Sequence, residues 1–215
     1  MKVKVDPSLF LLLFLFYITK QIEFYVLIMI FAFVHEFAHM ICGVLLGFNP
    51  NILRIMPVGF IIEFKAPVEE YNMKILKANR LAVKEILTAL AGPVSNLIII
   101  ILSRKVNFNI NIIYTNLLIC IFNLIPIYPL DGGRILNNIL KLLLGNVNAM
   151  KYTYKVSNGL IILLTILSSI FVYIYRNVFV VLTICVLWII VIKENKRYNT
   201  YKKIYKVIDK NYNYL

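Results

Sequence analysis

Residues Ile22 to Phe48 read IEFYVLIMIFAFVHEFAHMICGVLLGF, an apolar run long enough to cross a bilayer as one helix. The run holds both histidines of the chain, His35 and His39, with Glu36 between them. Ionisable groups are costly inside a membrane span and usually mark function there.

Five further apolar blocks accompany it, at Ser8 to Thr19, Ile86 to Ser103, Ile110 to Tyr128, Gly159 to Tyr175 and Asn177 to Ile192. Each except the first is about a bilayer's worth of helix. Of 215 residues, 61% are hydrophobic and 15% charged, and the mean hydropathy is +0.82. A soluble domain is about half apolar and about a quarter charged. A water-soluble globule is excluded, and the expected fold is an all-α polytopic membrane protein of about six transmembrane helices.

Lys and Arg outnumber Asp and Glu by 23 to 10, a net charge of +13 that in a soluble chain would raise nucleic acid as a partner. Topology explains it more simply, and no nucleic acid is expected. With six spans, one side receives Lys2 and Lys4, six cations from Arg54 to Lys84, four from Arg134 to Lys155 and seven from Lys193 onward. The other side receives Lys20, Arg104, Lys105 and Arg176, so the bias is 19 to 4 and both termini are read as cytoplasmic. The first block is short, with Val3 to Pro7 available to extend it. If it did not span, the tally would become 6 inside against 17 outside, which argues that it does. It is followed by Lys20, Gln21 and Glu23 and not by small residues, so it is no cleavable signal. Cys42, Cys120 and Cys185 sit in different apolar blocks without paired spacing and read as packing residues.

The polar stretch from Asn49 to about Lys84 contains Ile55-Met-Pro-Val-Gly-Phe-Ile-Ile-Glu-Phe64, which reads as a short β hairpin at the membrane surface between the second and third spans. Asp131 to Lys155 opens Asp-Gly-Gly-Arg and continues as an amphipathic helical pattern ended by Gly145. From Lys193 the chain alternates Lys and Tyr. Residues 1–193 are therefore read as a transmembrane domain and 194–215 as a basic, aromatic cytoplasmic tail suited to anionic lipid. There is no internal repeat and no room for an appended soluble domain.

Two histidines placed at random would fall four apart around a glutamate neighbour about three times in ten thousand. On a helix, positions i and i+4 share a face, so both imidazoles can reach one zinc ion while Glu36 handles the proton of a water there. The plainer reading is a pair of core histidines beside a buried carboxylate, but three ionisable groups in one stretch of span need a ligand to offset their cost. A hydrolytic zinc takes three protein ligands. No third histidine exists, which leaves Glu23, Asp131 and the cysteines near the spans. Asp131 fits best, in Asn123-Leu-Ile-Pro-Ile-Tyr-Pro-Leu-Asp-Gly-Gly-Arg134 at the cytoplasmic end of the fourth span, where two glycines allow close approach and Pro126 and Pro129 interrupt the helix. The competing reading makes Asp131 a helix cap.

HEFAH in a transmembrane helix, Ala91-Gly-Pro-Val-Ser-Asn96 in the third span and the segment from Asn123 to Arg134 together resemble the site-2 protease family of intramembrane zinc metalloproteases, over about residues 22 to 145. The resemblance implies one zinc per chain on His35, His39 and Asp131, with Glu36 as catalytic base. It also implies that Asn123 and Pro126 position substrate, and that Met56-Pro-Val-Gly-Phe60, with Gly59, is the surface strand that pairs with an unwound substrate. An ordinary hairpin is the alternative for that strand. Within the family the chain looks most like the stage IV sporulation type, which processes a pro-sigma factor, but is expected to be without the C-terminal CBS domain carried there, since the sequence stops about twenty residues after its last expected span. The expected partners are a membrane-associated protein substrate and membrane inhibitor proteins contacting Val58 to Phe60. The abundance of Ile, Lys, Asn, Tyr and Phe is compatible with a bacterial membrane as its location.

The expected reaction is hydrolysis of a peptide bond in or near a membrane segment, toward its cytoplasmic face. A membrane-bound anti-sigma factor is an alternative substrate. A metal transporter is the rival of another class, but the spans offer almost no further ionisable residues to make a pathway. An inactive scaffold would need no intact Glu36.

Overall fold

The computed structural model describes residues 2–18, 20, 22–56, 59–64, 75–106, 108–175 and 178–212. Thr19 and Asn177, expected as span boundaries, and Pro57 and Val58 of the surface strand lie outside the described residues. The elements run β1 (Lys2–Val5), α1 (Ser8–Ile18), α2 (Ile22–Leu45), β2 (Pro50–Met56), β3 (Gly59–Phe64), α3 (Ile75–Lys105), α4 (Ile110–Leu124), α5 (Asp131–Tyr175) and α6 (Val178–Tyr212). They fall into two compact units, Met1–Leu124 and Ile125–Leu215.

In the first unit α2 packs on both α3 and α4. Its exterior is apolar: Ile30, Val94, Ile98, Ile101, Leu118 and Ile121 are all exposed. Its interior holds a set of buried polar side chains, His35, His39, Thr88, Asn96, Thr115 and Asn116, beside apolar Ala89, Ile119 and Cys120. That inversion suits a hydrocarbon solvent, where polar groups must find partners inside the bundle. α2 stops at Gly47, whose φ of +90° is the left-handed value of a helix C-terminus. There the Phe48 N–H reaches back to the Gly43 carbonyl at 2.9 Å.

The expected hairpin is present as β2 and β3, antiparallel from Met56↔Gly59 to Pro50↔Phe64 with an irregularity between Pro50 and Ile52. One strand more was not expected. Lys2–Val5 pairs in parallel with Ile52–Ile55, so the sheet order is β1-β2-β3. Val3 to Pro7 therefore does not lengthen the first span. Lys2-Val-Lys-Val5 alternates polar and β-branched residues with the period of a strand, and α1 with α2 forms the crossover that a parallel pair requires. The sheet lies against α2, where Phe60 meets Phe33 edge to face with centroids 5.2 Å apart.

In the second unit α5 is broken at Gly145 (φ 77°, ψ 166°), where the amphipathic pattern is expected to end. α6 packs on α5 through Trp188 Nε1 donating to Thr165 Oγ1 at 3.0 Å, Asn195 Nδ2 donating to Asn158 Oδ1 at 2.8 Å, and Tyr154 stacked on Tyr198 at 4.6 Å.

Among the described residues, three helical stretches are long and apolar enough to cross a membrane, Tyr25–Leu45, Asn79–Lys105 and Asp131–Ile174, and Ile110–Leu124 is a shorter apolar helix. α1, with 11 residues, spans about 16 Å at the usual helical rise. The chain is an integral membrane protein, mostly helical with a small sheet.

Candidate metal centre

α2 presents His35 and His39 on one face, each only 2% exposed. Their rings meet edge to face with centroids 4.7 Å apart, and the two Nε2 atoms are 3.1 Å from each other. Both Nδ1 atoms are occupied on the far side of the ring. His35 Nδ1 bonds Asn96 Oδ1 on α3, and His39 Nδ1 donates to the Thr88 carbonyl at 2.6 Å. A neutral imidazole whose Nδ1 carries the proton has a bare lone pair on Nε2. Two such lone pairs converging at 3.1 Å repel each other unless a cation lies beside them.

The backbone of α3 leaves room for one. A Cβ added to Gly92 would fall 2.6 Å from both His35 Nε2 and His39 Cε1, and would also overlap His39 Nε2. Glycine at 92 therefore keeps a side chain out of the space that the imidazoles face. His35 and His39 belong to the first unit, and Asp131, the carboxylate expected as third ligand, is a buried residue of the second. Two imidazoles and one carboxylate, with a fourth position for water, are a donor set that suits zinc.

Asp131 is the first residue of α5, 5% exposed, with its Oδ1 3.4 Å from Arg134 Nη1 one helical turn on. Its surroundings in the second unit explain Gly133, two residues on. A Cβ on Gly133 would overlap the backbone of Ile127 and Tyr128, so the preceding loop folds directly onto the first turn of α5. The Tyr128 N–H donates to Ser157 Oγ at 3.0 Å and ties that loop to the same helix.

Glu36 lies a step round α2 from the histidines and faces the sheet. With Phe33, Phe37, Met40, Leu53 and Ile62 it lines a small cavity of about 90 Å³. A larger apolar cleft of about 400 Å³ lies between α1 and α2, lined by Leu9, Leu13, Tyr25, Met29 and Phe33, and Phe60 of β3 reaches it too. Gly59 opens β3 opposite Met56, with φ +148°. Asn123 sits in the last turn of α4 with its Nδ2 donating to the Ile119 carbonyl at 3.0 Å, and Pro126, half-buried, lies in the loop before α5.

The sequence reading assigned no role to Thr88, Gly92 or Asn116, and it quoted Asn96 only within a motif. Asn96 and Asn116 carried a signal nonetheless, since an amide in an otherwise apolar helix needs a partner inside the protein.

Comparison with known proteins finds similarity to metalloproteases. The pattern of peptidase family M50 matches residues 103–167. A curated relative, the zinc metalloprotease MJ0392 of Methanocaldococcus jannaschii, is 28% identical over 171 residues, 69% of this chain and 47% of that one. The stage IV sporulation protein FB of Bacillus subtilis is 26% identical over 145 residues, 63% of this chain and 46% of that one. The chain thus spans about half the length of the curated relatives it matches. A solved structure, the site-2 protease from Methanocaldococcus jannaschii, shares the fold with a TM-score of 0.66 at 20% identity, covering 89% of both chains.

Proposed function

We propose that this chain is an intramembrane zinc endopeptidase of the site-2 protease type, which hydrolyses a peptide bond in or next to a membrane-associated segment of a protein. The observation that carries the reading is the pair of buried imidazoles on α2, Nε2 to Nε2 3.1 Å, with Glu36 between them in sequence. The similarity to peptidase family M50 and to a zinc metalloprotease supports it.

In this proposal His35, His39 and Asp131 hold one zinc ion, which when bound supplies Lewis acidity toward water and the scissile carbonyl. Glu36 takes a proton from the attacking water as its oxygen adds to the carbonyl carbon, and delivers that proton to the nitrogen as the C–N bond breaks. The products are a carboxyl and an amine terminus.

A helical substrate hides its carbonyls in its own hydrogen bonds, and unwinding it in a membrane is costly unless new partners are supplied. β3 is an outer strand of the sheet among the described residues. Pairing of an unwound segment with β3 near Gly59 would supply those partners by β-augmentation, with Asn123 and Pro126 helping to position the segment. The cleft that Phe60 lines would accept apolar side chains of the same segment.

The charge bias supports a topology with both termini and the cleavage site on the cytoplasmic side, with residues 194–215 as a tail on anionic lipid and a bacterial membrane as the location. Similarity to a stage IV sporulation protein supports a membrane-associated pro-sigma factor as substrate. A membrane-bound anti-sigma factor is the alternative within the class, and inhibitor proteins would contact the region around Gly59 and Phe60.

The test is co-expression of wild type and Glu36→Gln with a tagged pro-sigma factor, following substrate size on a gel together with the zinc content of the purified proteins. Shortening by the wild type alone supports enzyme and substrate class together. Wild-type protein without zinc overturns the catalytic reading.

A further inference from the structure

Three side chains link three helices of the first unit in a single line. His35 of α2 meets Asn96 of α3 through Nδ1 and Oδ1. Asn96 Nδ2 donates to Asn116 Oδ1 on α4 at 2.8 Å, and Asn116 Nδ2 donates to the Ile112 carbonyl at 2.8 Å. His35 is 2% exposed and both asparagines 0%, so no water competes for these bonds.

The end of this line decides its direction. A backbone carbonyl can only accept, so the Asn116 atom facing Ile112 is the NH₂ nitrogen and the atom facing Asn96 is the oxygen. An oxygen there requires the NH₂ of Asn96, which turns the Asn96 oxygen toward His35. That oxygen in turn requires a proton on Nδ1 of His35. Reversing any member would oppose two acceptors or two donors somewhere along the line, each reversal leaving a buried polar group unpaired at about 1–3 kcal/mol. His39 reaches the same state in one step, because its Nδ1 faces the Thr88 carbonyl directly.

We propose that Asn116 is a positioning residue that, through Asn96, holds His35 in the tautomer whose Nε2 is bare and available to a metal ion. The proposal rests on the reading of His35 as a metal ligand. A carbonyl, carboxylate or water commonly holds the second nitrogen of a ligating histidine. Here an amide stands in that place, and an amide can turn over, so it needs a second residue to fix its orientation.

The test uses the full chain purified in detergent. ¹⁵N-histidine NMR of the metal-free protein reads the tautomers directly, and with only two histidines in the chain the spectrum is simple. Both are expected protonated on Nδ1. Zinc affinity is then measured against a chromophoric chelator. Asn116→Leu should lower it about 10- to 100-fold, the usual effect of losing a partner of a ligating histidine. Adding Asn96→Asp to that variant should restore most of the loss, because both carboxylate oxygens accept and neither orientation presents a donor to His35. A packing defect at position 116 would not be repaired by a change at 96.

Wild-type affinity in Asn116→Leu, or a loss that Asn96→Asp does not restore, overturns the proposal. If Asn116→Leu does not fold, the wild-type spectrum decides alone, and a His35 protonated on Nε2 overturns it. A wild type with both Nδ1 atoms protonated but no zinc binding would sink the metalloenzyme reading while leaving the orientation of His35 by Asn116 supported.

Discussion

Gly92 of α3 faces His35 of α2 so closely that a methyl group at position 92 would stand 2.6 Å from the His35 Nε2. The relation is local to the first unit and separates two effects that most substitutions near a site combine. Alanine is the better helix former, by about 1 kcal/mol, so Gly92→Ala should keep α3 helical in the metal-free protein while its methyl displaces the imidazoles it would overlap. The added methyl occupies the space beside both imidazoles, and zinc affinity should fall at least tenfold. Circular dichroism of the metal-free protein and chelator competition measure the two effects separately. Wild-type zinc affinity in this variant would mean that the metal does not lie where the imidazoles converge.

Glu36→Gln removes the proposed base while preserving shape and the lining of the small cavity it shares with Phe33, Leu53 and Ile62. Zinc content should remain one per chain and turnover should fall by about 10²- to 10⁴-fold, the usual worth of a positioned general base. Loss of zinc together with activity would instead make Glu36 a ligand or a structural residue.

Asp131→Ala should abolish stoichiometric zinc, since two imidazoles alone leave a hydrolytic zinc one protein ligand short. Zinc at 100 times its dissociation constant stabilises a protein by about 2.7 kcal/mol relative to the metal-free form. Chelation should therefore lower the melting temperature of the wild type and leave that of Asp131→Ala unmoved. An equal response of both to chelator would remove Asp131 from the ligand set.

Gly59→Val tests the strand. Position 59 has φ +148°, which a β-branched residue adopts only under strain, and it lies opposite Met56 at the end of the hairpin where β2 leads into β3. The variant should keep its zinc and lose cleavage of a protein substrate. Undiminished cleavage would place substrate binding elsewhere.

Ser157→Ala probes the second unit. Ser157 is 1% exposed and accepts the Tyr128 N–H at 3.0 Å. Removing the hydroxyl takes away the acceptor of that part-buried N–H, at a cost of about 0.5–1.5 kcal/mol, the usual net worth of a hydrogen bond. Thermal unfolding should register the loss, and a melting temperature equal to the wild type would mean that the loop before α5 finds another acceptor.

Much of the helical layout was legible because apolar block length and the spacing of His35 and His39 are local properties of a chain. The break at Gly145 and the pairing of β2 with β3 were legible for the same reason. β1 was misjudged even though Lys2-Val-Lys-Val5 alternates like a strand, because nothing nearby announces its partner, which lies about fifty positions on at Ile52–Ile55. Asn96 was visible as a polar residue in an apolar helix, but its bond to His35 spans 61 positions, and that from His39 to Thr88 spans 49.

By itself, then, the sequence determined that the chain lives in a membrane, which segments are helical, and that one helix face carries two imidazoles, since helical geometry alone brings positions i and i+4 together. The tertiary structure decided what lies behind those imidazoles and what lies in front of them. Asn96 with Asn116, the Thr88 carbonyl and the missing side chain of Gly92 come from α3 and α4, whose placement against α2 is a matter of packing. Residue spacing records only the geometry of one element, and a tautomer or a cradle depends on groups contributed by several.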